Sequence, residues 1–219
     1  MSPHPPRSAL QVAALIAAAA PAPLVAQRRV DLWGVASATA AKARSRYPAG
    51  VEALSGFVLG GEGGASWGPV SLRVGYVHGS LDPDTVGPAS RDHTEGFVLL
   101  GGRPVSGLEI AAGPHARAYV TSAGTQRWLF WELHARYETA IVRPLIHGYA
   151  ELWNAVAGQV NVAEGFNSGR GGTAGIVFRP KGGRFALRLC YAIDETRLGS
   201  GKRRETVEGV TFAMGYGRW

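Results

Sequence analysis

Apolar and polar residues alternate with a period of two along much of the chain. After Pro69, Val70, Leu72, Val74 and Tyr76 fall on one face and Ser71, Arg73 and Gly75 on the other. Trp131, Leu133, Ala135 and Tyr137 oppose Glu132, His134, Arg136 and Glu138. Phe185, Leu187, Leu189, Tyr191 and Ile193 oppose Ala186, Arg188, Cys190, Ala192 and Asp194, and Val210, Phe212, Met214 and Tyr216 oppose Gly209, Thr211, Ala213 and Gly215. A helix would space its apolar residues by three and four, so these stretches predict strands. Four proline turns punctuate them, at Trp67–Val70, Arg103–Gly107, Val142–Leu145 and Arg179–Arg184. Their prolines, Pro69, Pro104, Pro144 and Pro180, recur at nearly even spacing. Between the turns lie polar stretches rich in Gly, Ser and Asp: Gly79–His93, Thr121–Arg127, Val160–Arg170 and Leu198–Glu205. Short turns alternating with long loops predict a repeated hairpin, none of which buries a face alone.

Ten strands follow from this division. The first is Val30–Ala43, ending before an Arg44–Gly50 loop. Pairs then flank the turns: Glu52–Trp67 with Val70–His78, Thr94–Gly102 with Leu108–Val120, Trp128–Ile141 with Leu145–Ala157, and Gly172–Phe178 with Phe185–Asp194. Thr206–Tyr216 is the tenth. Eight strands follow instead if the first and one other do not cross a membrane. The expected fold class is all-β, an up-and-down antiparallel transmembrane β-barrel, and the even count puts both ends of the barrel chain on the short-turn side. Pro114 falls mid-strand without an N–H to donate, so a bulge is expected there.

Periodicity does not say which face points inward. A soluble barrel buries its apolar face, whereas a membrane barrel turns it to lipid. Three features favour lipid. Arg7, the apolar stretch Ala9–Ala20 and small residues up to Ala26 read as a signal peptide over 1–26, too short for a spanning helix of ~20 residues; cleavage before Gln27 leaves 27–219 as one domain. Loops are long at one end only. Trp67, Phe178, Phe185, Tyr216 and Trp219 gather at the short-turn end, as an interfacial aromatic girdle would.

Composition supports strands. The chain has 31 glycines in 219 residues, about twice the ordinary share, with no collagen-like period. The one cysteine, Cys190, reads as an interior filler. The net charge of +7 would suit nucleic acid, but an exported chain meets anionic lipid first, so no nucleic-acid partner is expected.

The terminal segment Thr211–Trp219 resembles the closing strand of bacterial outer-membrane barrels, which ends in an aromatic residue. The layout of 27–219 is similar to the small outer-membrane superfamily of eight- to ten-stranded barrels, OmpA- and OmpW-like. This resemblance implies an outer-membrane location in a Gram-negative bacterium, recognition of the last strand by the barrel-assembly machinery, and a monomer. Tyr216 and Trp219 are out of phase, so a bulge at Gly215 or Gly217 is expected.

With the apolar face on lipid, Glu62, Arg73, Glu109, His115, Arg117, Glu132, His134, Arg136, Glu138, Glu151 and Arg188 face the lumen. Isolated buried charges are costly, so these predict a paired network that plugs a narrow barrel, with a gated ion or solute path as the alternative. An enzymatic reading, as an outer-membrane lipid hydrolase, rests on His134 beside Glu132 and Arg136. No serine matches their phase, and no catalytic residue, cofactor or metal ligand is assigned. Gly60–Gly64 and Gly169–Gly172 lack the Lys-Ser/Thr ending of a phosphate loop. Asp82, Asp84 and Asp92 lack EF-hand spacing and read as solvated loop acids. The outer loops are basic, with Lys42, Arg44, Arg46, Arg91, Arg127, Arg170, Arg197, Lys202, Arg203 and Arg204. Of these, Arg197, Lys202, Arg203 and Arg204 are the candidate contacts to lipopolysaccharide phosphates, by charge attraction.

Overall fold

A computed structural model describes residues 30–85, 89–122, 124–181 and 183–217. The expected signal segment and Trp219 lie outside them. Ten antiparallel strands form a closed barrel in which every strand pairs with its sequence neighbours and β1 closes on β10. They are β1 (Asp31–Tyr47), β2 (Gly50–Trp67), β3 (Val70–Pro83), β4 (Arg91–Val105), β5 (Leu108–Thr121), β6 (Gly124–Val142), β7 (Ile146–Val160), β8 (Phe166–Phe178), β9 (Phe185–Leu198) and β10 (Arg203–Tyr216). The seam runs from Gly34 opposite Tyr216 to Arg46 opposite Arg204, and Thr39 and Thr211 share a 2.8 Å hydrogen bond across it.

The alternating pattern resolves with the apolar side outward. Phe57, Leu59, Leu32 and Leu152 are 65–75% exposed, while Arg73 and Glu132 are 5% and 2% exposed. The outer apolar belt stops at a common level toward the end away from the proline turns. It gives way to Lys42 on β1, His78 on β3, Thr94 on β4, Arg127 on β6, Arg170 on β8, Glu195 on β9 and Glu208 on β10. A closed barrel leaves no unpaired edge, so a wall greasy on the outside satisfies its backbone without water.

The polar stretches read as long loops are mostly strand. The connections at that end are only 48–49, 84–90, 122–123, 161–165 and 199–202. Strands of 13 to 19 residues exceed the roughly 9–11 that a tilted membrane strand needs, so the excess stands above the apolar belt with polar side chains on its outer face.

Pro114 needs no inserted residue. Phe97–His115 and Leu100–Ala112 keep one register on either side of it, and Gly113 and Pro114 have no partner on β4 between them. The Val98 carbonyl instead lies over the Cα of Gly113, so close that a Cβ there would sit 1.9 Å from its oxygen. The β6 side of Pro114 pairs normally, with Trp131. Gly215 likewise keeps its register with Val35 and Ala186. The strand ends at Tyr216, and Gly217 just beyond it has a φ of +100° and donates its N–H to the Arg184 carbonyl at 2.8 Å.

Inside, β8 contributes mostly small residues, among them Gly171, Thr173 and Gly175, and small residues such as Ala41, Gly60, Thr211 and Ala213 also line the other walls. Toward the loop end the interior is apolar: Leu54, Leu81, Tyr119, Trp128, Phe130 and Leu198 are at most 3% exposed. Cys190 is buried and free, beside Tyr149, Val177 and Ala213.

Candidate functional site

Each charged lumen residue occupies an inward position of its strand, set by the same period of two that turns its neighbours outward. The centre of the array is Glu132 on β6. Its Oε1 lies 2.8 Å from Nδ1 of His115, and its Oε2 lies 2.9 Å from Nε2 of His134. His134 Nδ1 then meets Glu151 Oε1 at 2.8 Å, and the same oxygen accepts from Arg73 Nη2 at 2.8 Å. On the other side, His115 Nε2 lies 3.3 Å from Glu95, which also contacts Arg117 and His93 at 3.1 Å. Arg117 reaches Asp194 at 3.2 Å, and Trp153 Nε1 donates to Asp194 at 2.7 Å.

Arg73 is a second hub. Besides Glu151 it faces Glu62 at 3.5 Å and Glu109 at 3.6 Å, and Arg188 stands 3.8 Å from Glu62. Nine of the eleven lumen residues expected from sequence therefore belong to one connected array. Arg136 and Glu138 sit apart, near the short turns. Glu138 binds Arg179 through both oxygens and lies 3.2 Å from His147. Arg136 is 3.9 Å from Glu138 and lies over the Tyr149 ring.

Sequence reading missed Glu95, Asp194, Trp153 and His93. Glu95 and His93 share their phase on β4 with apolar Phe97 and Leu99, which hid the alternation. Asp194 was legible, since it lies in phase with Arg188 at the end of a clean alternating run.

This arrangement limits the chemistry of His134. Both ring nitrogens face carboxylates, a geometry satisfied when both are donors. Neither nitrogen is then left to accept a proton from a nucleophile. Among the described residues no group of His, Cys, Asp and Glu is arranged to hold a metal ion. Asp82 bonds Ser90 at 2.7 Å, and Asp84 pairs with Lys42 at 2.8 Å and bonds Ser55 at 2.5 Å. Those contacts from Lys42 and Ser55 hold the Asp84 carboxyl below its ordinary range.

The basic outer residues divide. Arg203 turns inward, bonding Glu205 at 2.7 Å and lying over the Tyr47 ring, and Arg91 is drawn in by Glu52. Arg203 is therefore not an outward contact: the odd-numbered residues of β10 face the lumen, and the strand begins there. Arg170, Arg197 and Arg204 instead surround one carboxylate on the outer wall, Glu195. Arg197 is at 2.8 Å, Arg170 at 3.6 Å, and Arg204 in direct contact. Lys202 is exposed in the turn before β10.

No protein-family model matches the chain, and no curated protein matches it in sequence. Solved structures do. Outer-membrane protease OmpT from Escherichia coli is 8% identical over 86% of this chain and 97% of its own, with a TM-score of 0.60. Neisserial surface protein A is 10% identical over 84% and 96%, with a TM-score of 0.36. The translocator domain of the autotransporter NalP from Neisseria meningitidis is 12% identical over 97% and 96%, with a TM-score of 0.47. The likeness to OmpT extends to the fold and no further, and it joins the closed ten-stranded wall and its outward apolar belt in one conclusion. The chain has the fold of a bacterial outer-membrane β-barrel.

Proposed function

We propose that the protein is an integral, monomeric component of the Gram-negative outer membrane. In this reading its lumen is closed, its role is structural or interactive rather than catalytic, and it inserts through the barrel-assembly machinery. The observation that carries this reading is the filling of the interior in two layers. Phe130, Leu81 and Leu198 have no exposed surface at the loop end, and the array centred on Glu132 and Arg73 crosses the lumen below them. A layer of paired charges across a narrow lumen obstructs ion passage, and an apolar constriction excludes ions by dewetting. Protein refolded into planar bilayers is expected to pass no steady current. A steady ohmic current would overturn the closed lumen in favour of a narrow channel.

The interactive surface in this proposal is the outer wall above the apolar belt. Arg170, Arg197 and Arg204 carry three positive charges around Glu195, with Arg44 and Arg46 nearby on β1. Such a collar, level with lipid head groups, attracts lipopolysaccharide phosphates. Replacing Arg170, Arg197 and Arg204 together by Ser is expected to weaken binding to purified lipopolysaccharide; unchanged binding rejects the contact.

A further inference from the structure

The short-turn end of the barrel opens into a cavity of about 600 Å³. Five arginines line it, Arg73, Arg103, Arg136, Arg143 and Arg179, against two glutamates, Glu109 and Glu138. The two carboxylates are already engaged. Glu109 lies between Arg103 at 3.3 Å and Arg73 at 3.6 Å, and Glu138 binds Arg179 through both oxygens with His147 at 3.2 Å.

Arg136 is left under-supplied. It is 8% exposed, and its Nη2 is buried without a hydrogen-bond partner among the described residues. The carboxylate oxygen it faces, on Glu138, is 3.9 Å away, beyond hydrogen-bond reach. The Tyr149 ring lies against the guanidinium, its centroid 5.2 Å from Cζ. A buried guanidinium carries a desolvation cost that an acceptor must offset, and the space in front of this one is the cavity. At the rim, Arg143 is exposed on the turn after β6.

We infer that this vestibule is a binding site for a small oxyanion, a phosphate or a carboxylate. Arg136 receives it in the fork of its guanidinium, and Arg143 draws it in at the mouth. A planar guanidinium matches two oxygens of such an anion. A concave site with excess positive charge raises the local anion concentration. The inference goes beyond the closed-lumen proposal and does not need it, because the vestibule fills from its own end whether or not the lumen conducts.

Calorimetric titration of the folded protein in detergent micelles tests it, with inorganic phosphate and with succinate in separate runs. Saturable one-to-one binding is expected, weakened at least tenfold in Arg136→Gln and about threefold in Arg143→Ser. Arg143 lies on an exposed turn, so its variant retains the barrel even if Arg136→Gln does not; the shift between unheated and heated gel bands checks this. Binding of phosphate alone would mark a phosphate-bearing ligand, and binding of succinate as well a carboxylate; either supports the site. Absence of saturable binding for both anions overturns the inference. So does binding that neither variant weakens, or binding lost only when Arg170, Arg197 and Arg204 are replaced.

Discussion

At the scale of single residues, the interior is governed by the cost of leaving a charge without its counterpart. Glu132 is 2% exposed and supplies one oxygen to each of two histidines. Glu132→Ala would leave both imidazoles facing a void, and breaking a buried charged pair in this way costs about 3–5 kcal/mol. Denaturant unfolding in micelles is expected to show a loss of that order, and a loss below about 1 kcal/mol would mean the pairs are not coupled. Outside the membrane-spanning region, Asp84 gives a residue-level test of a surface contact. Its carboxyl is held below the ordinary range by Lys42 and Ser55, so the contact stabilises the fold above that range and is lost as pH falls through the lowered value. Lys42→Ala is expected to move the Asp84 titration, followed by NMR, upward toward the ordinary carboxylate value. Most of the array was legible at this scale, because a charged residue in phase with small or polar neighbours announces its face. Glu95 was not, because its in-phase neighbours Phe97 and Leu99 are as apolar as the outward Val98 and Leu100. Where both faces are greasy, a period of two carries no signal.

At the scale of the strand, the ladder tolerates residues that break local rules when a neighbour compensates. Gly113-Pro114 is such a pair. Pro114 withholds its N–H from β4, and Gly113 lets the Val98 carbonyl settle over its Cα. Gly113→Ala would place a Cβ 1.9 Å from that oxygen, a backbone clash that no side-chain rotation relieves. The variant is expected to refold in much lower yield, judged by the fraction of protein in the fast-migrating unheated band. Gly96→Ala, whose Cβ would approach protein atoms no nearer than 3.5 Å, is the matched control and should refold normally. The bulge expected at Pro114 does not form because the glycine before it lets the β4 backbone close over the missing N–H. Strand ends differ from expectation for a related reason. Gly79–His93 and Leu198–Glu205 are polar, and polarity alone predicts loop. A hydrogen-bonded ladder continues through polar residues once its outer face has left lipid, so composition marks the edge of the apolar belt rather than the end of the strand.

At the scale of the whole molecule, the proposed closed lumen places two different barriers in series inside one wall. In that proposal the apolar layer around Phe130, Leu54 and Leu198 excludes water by surface character, and the charged layer beneath it is held together by mutual attraction among Arg73, Glu151, His134 and Glu132. If both layers close the lumen, removing one leaves the other. Phe130→Ala combined with Leu198→Ala should cost several kcal/mol from the cavity alone, since a single Phe→Ala change costs roughly 3–5. The barrel should nonetheless still migrate as folded and carry no steady current in a bilayer. Adding Arg73→Ala and Glu151→Ala then opens the charged layer while Glu62 keeps Arg188, Glu109 keeps Arg103 and His134 keeps Glu132, and current should appear only in this combined variant. Current in Phe130→Ala/Leu198→Ala alone would mean that the charged layer passes ions unaided. The aromatic layer would then be the gate of a channel, and the array of histidines and carboxylates its path.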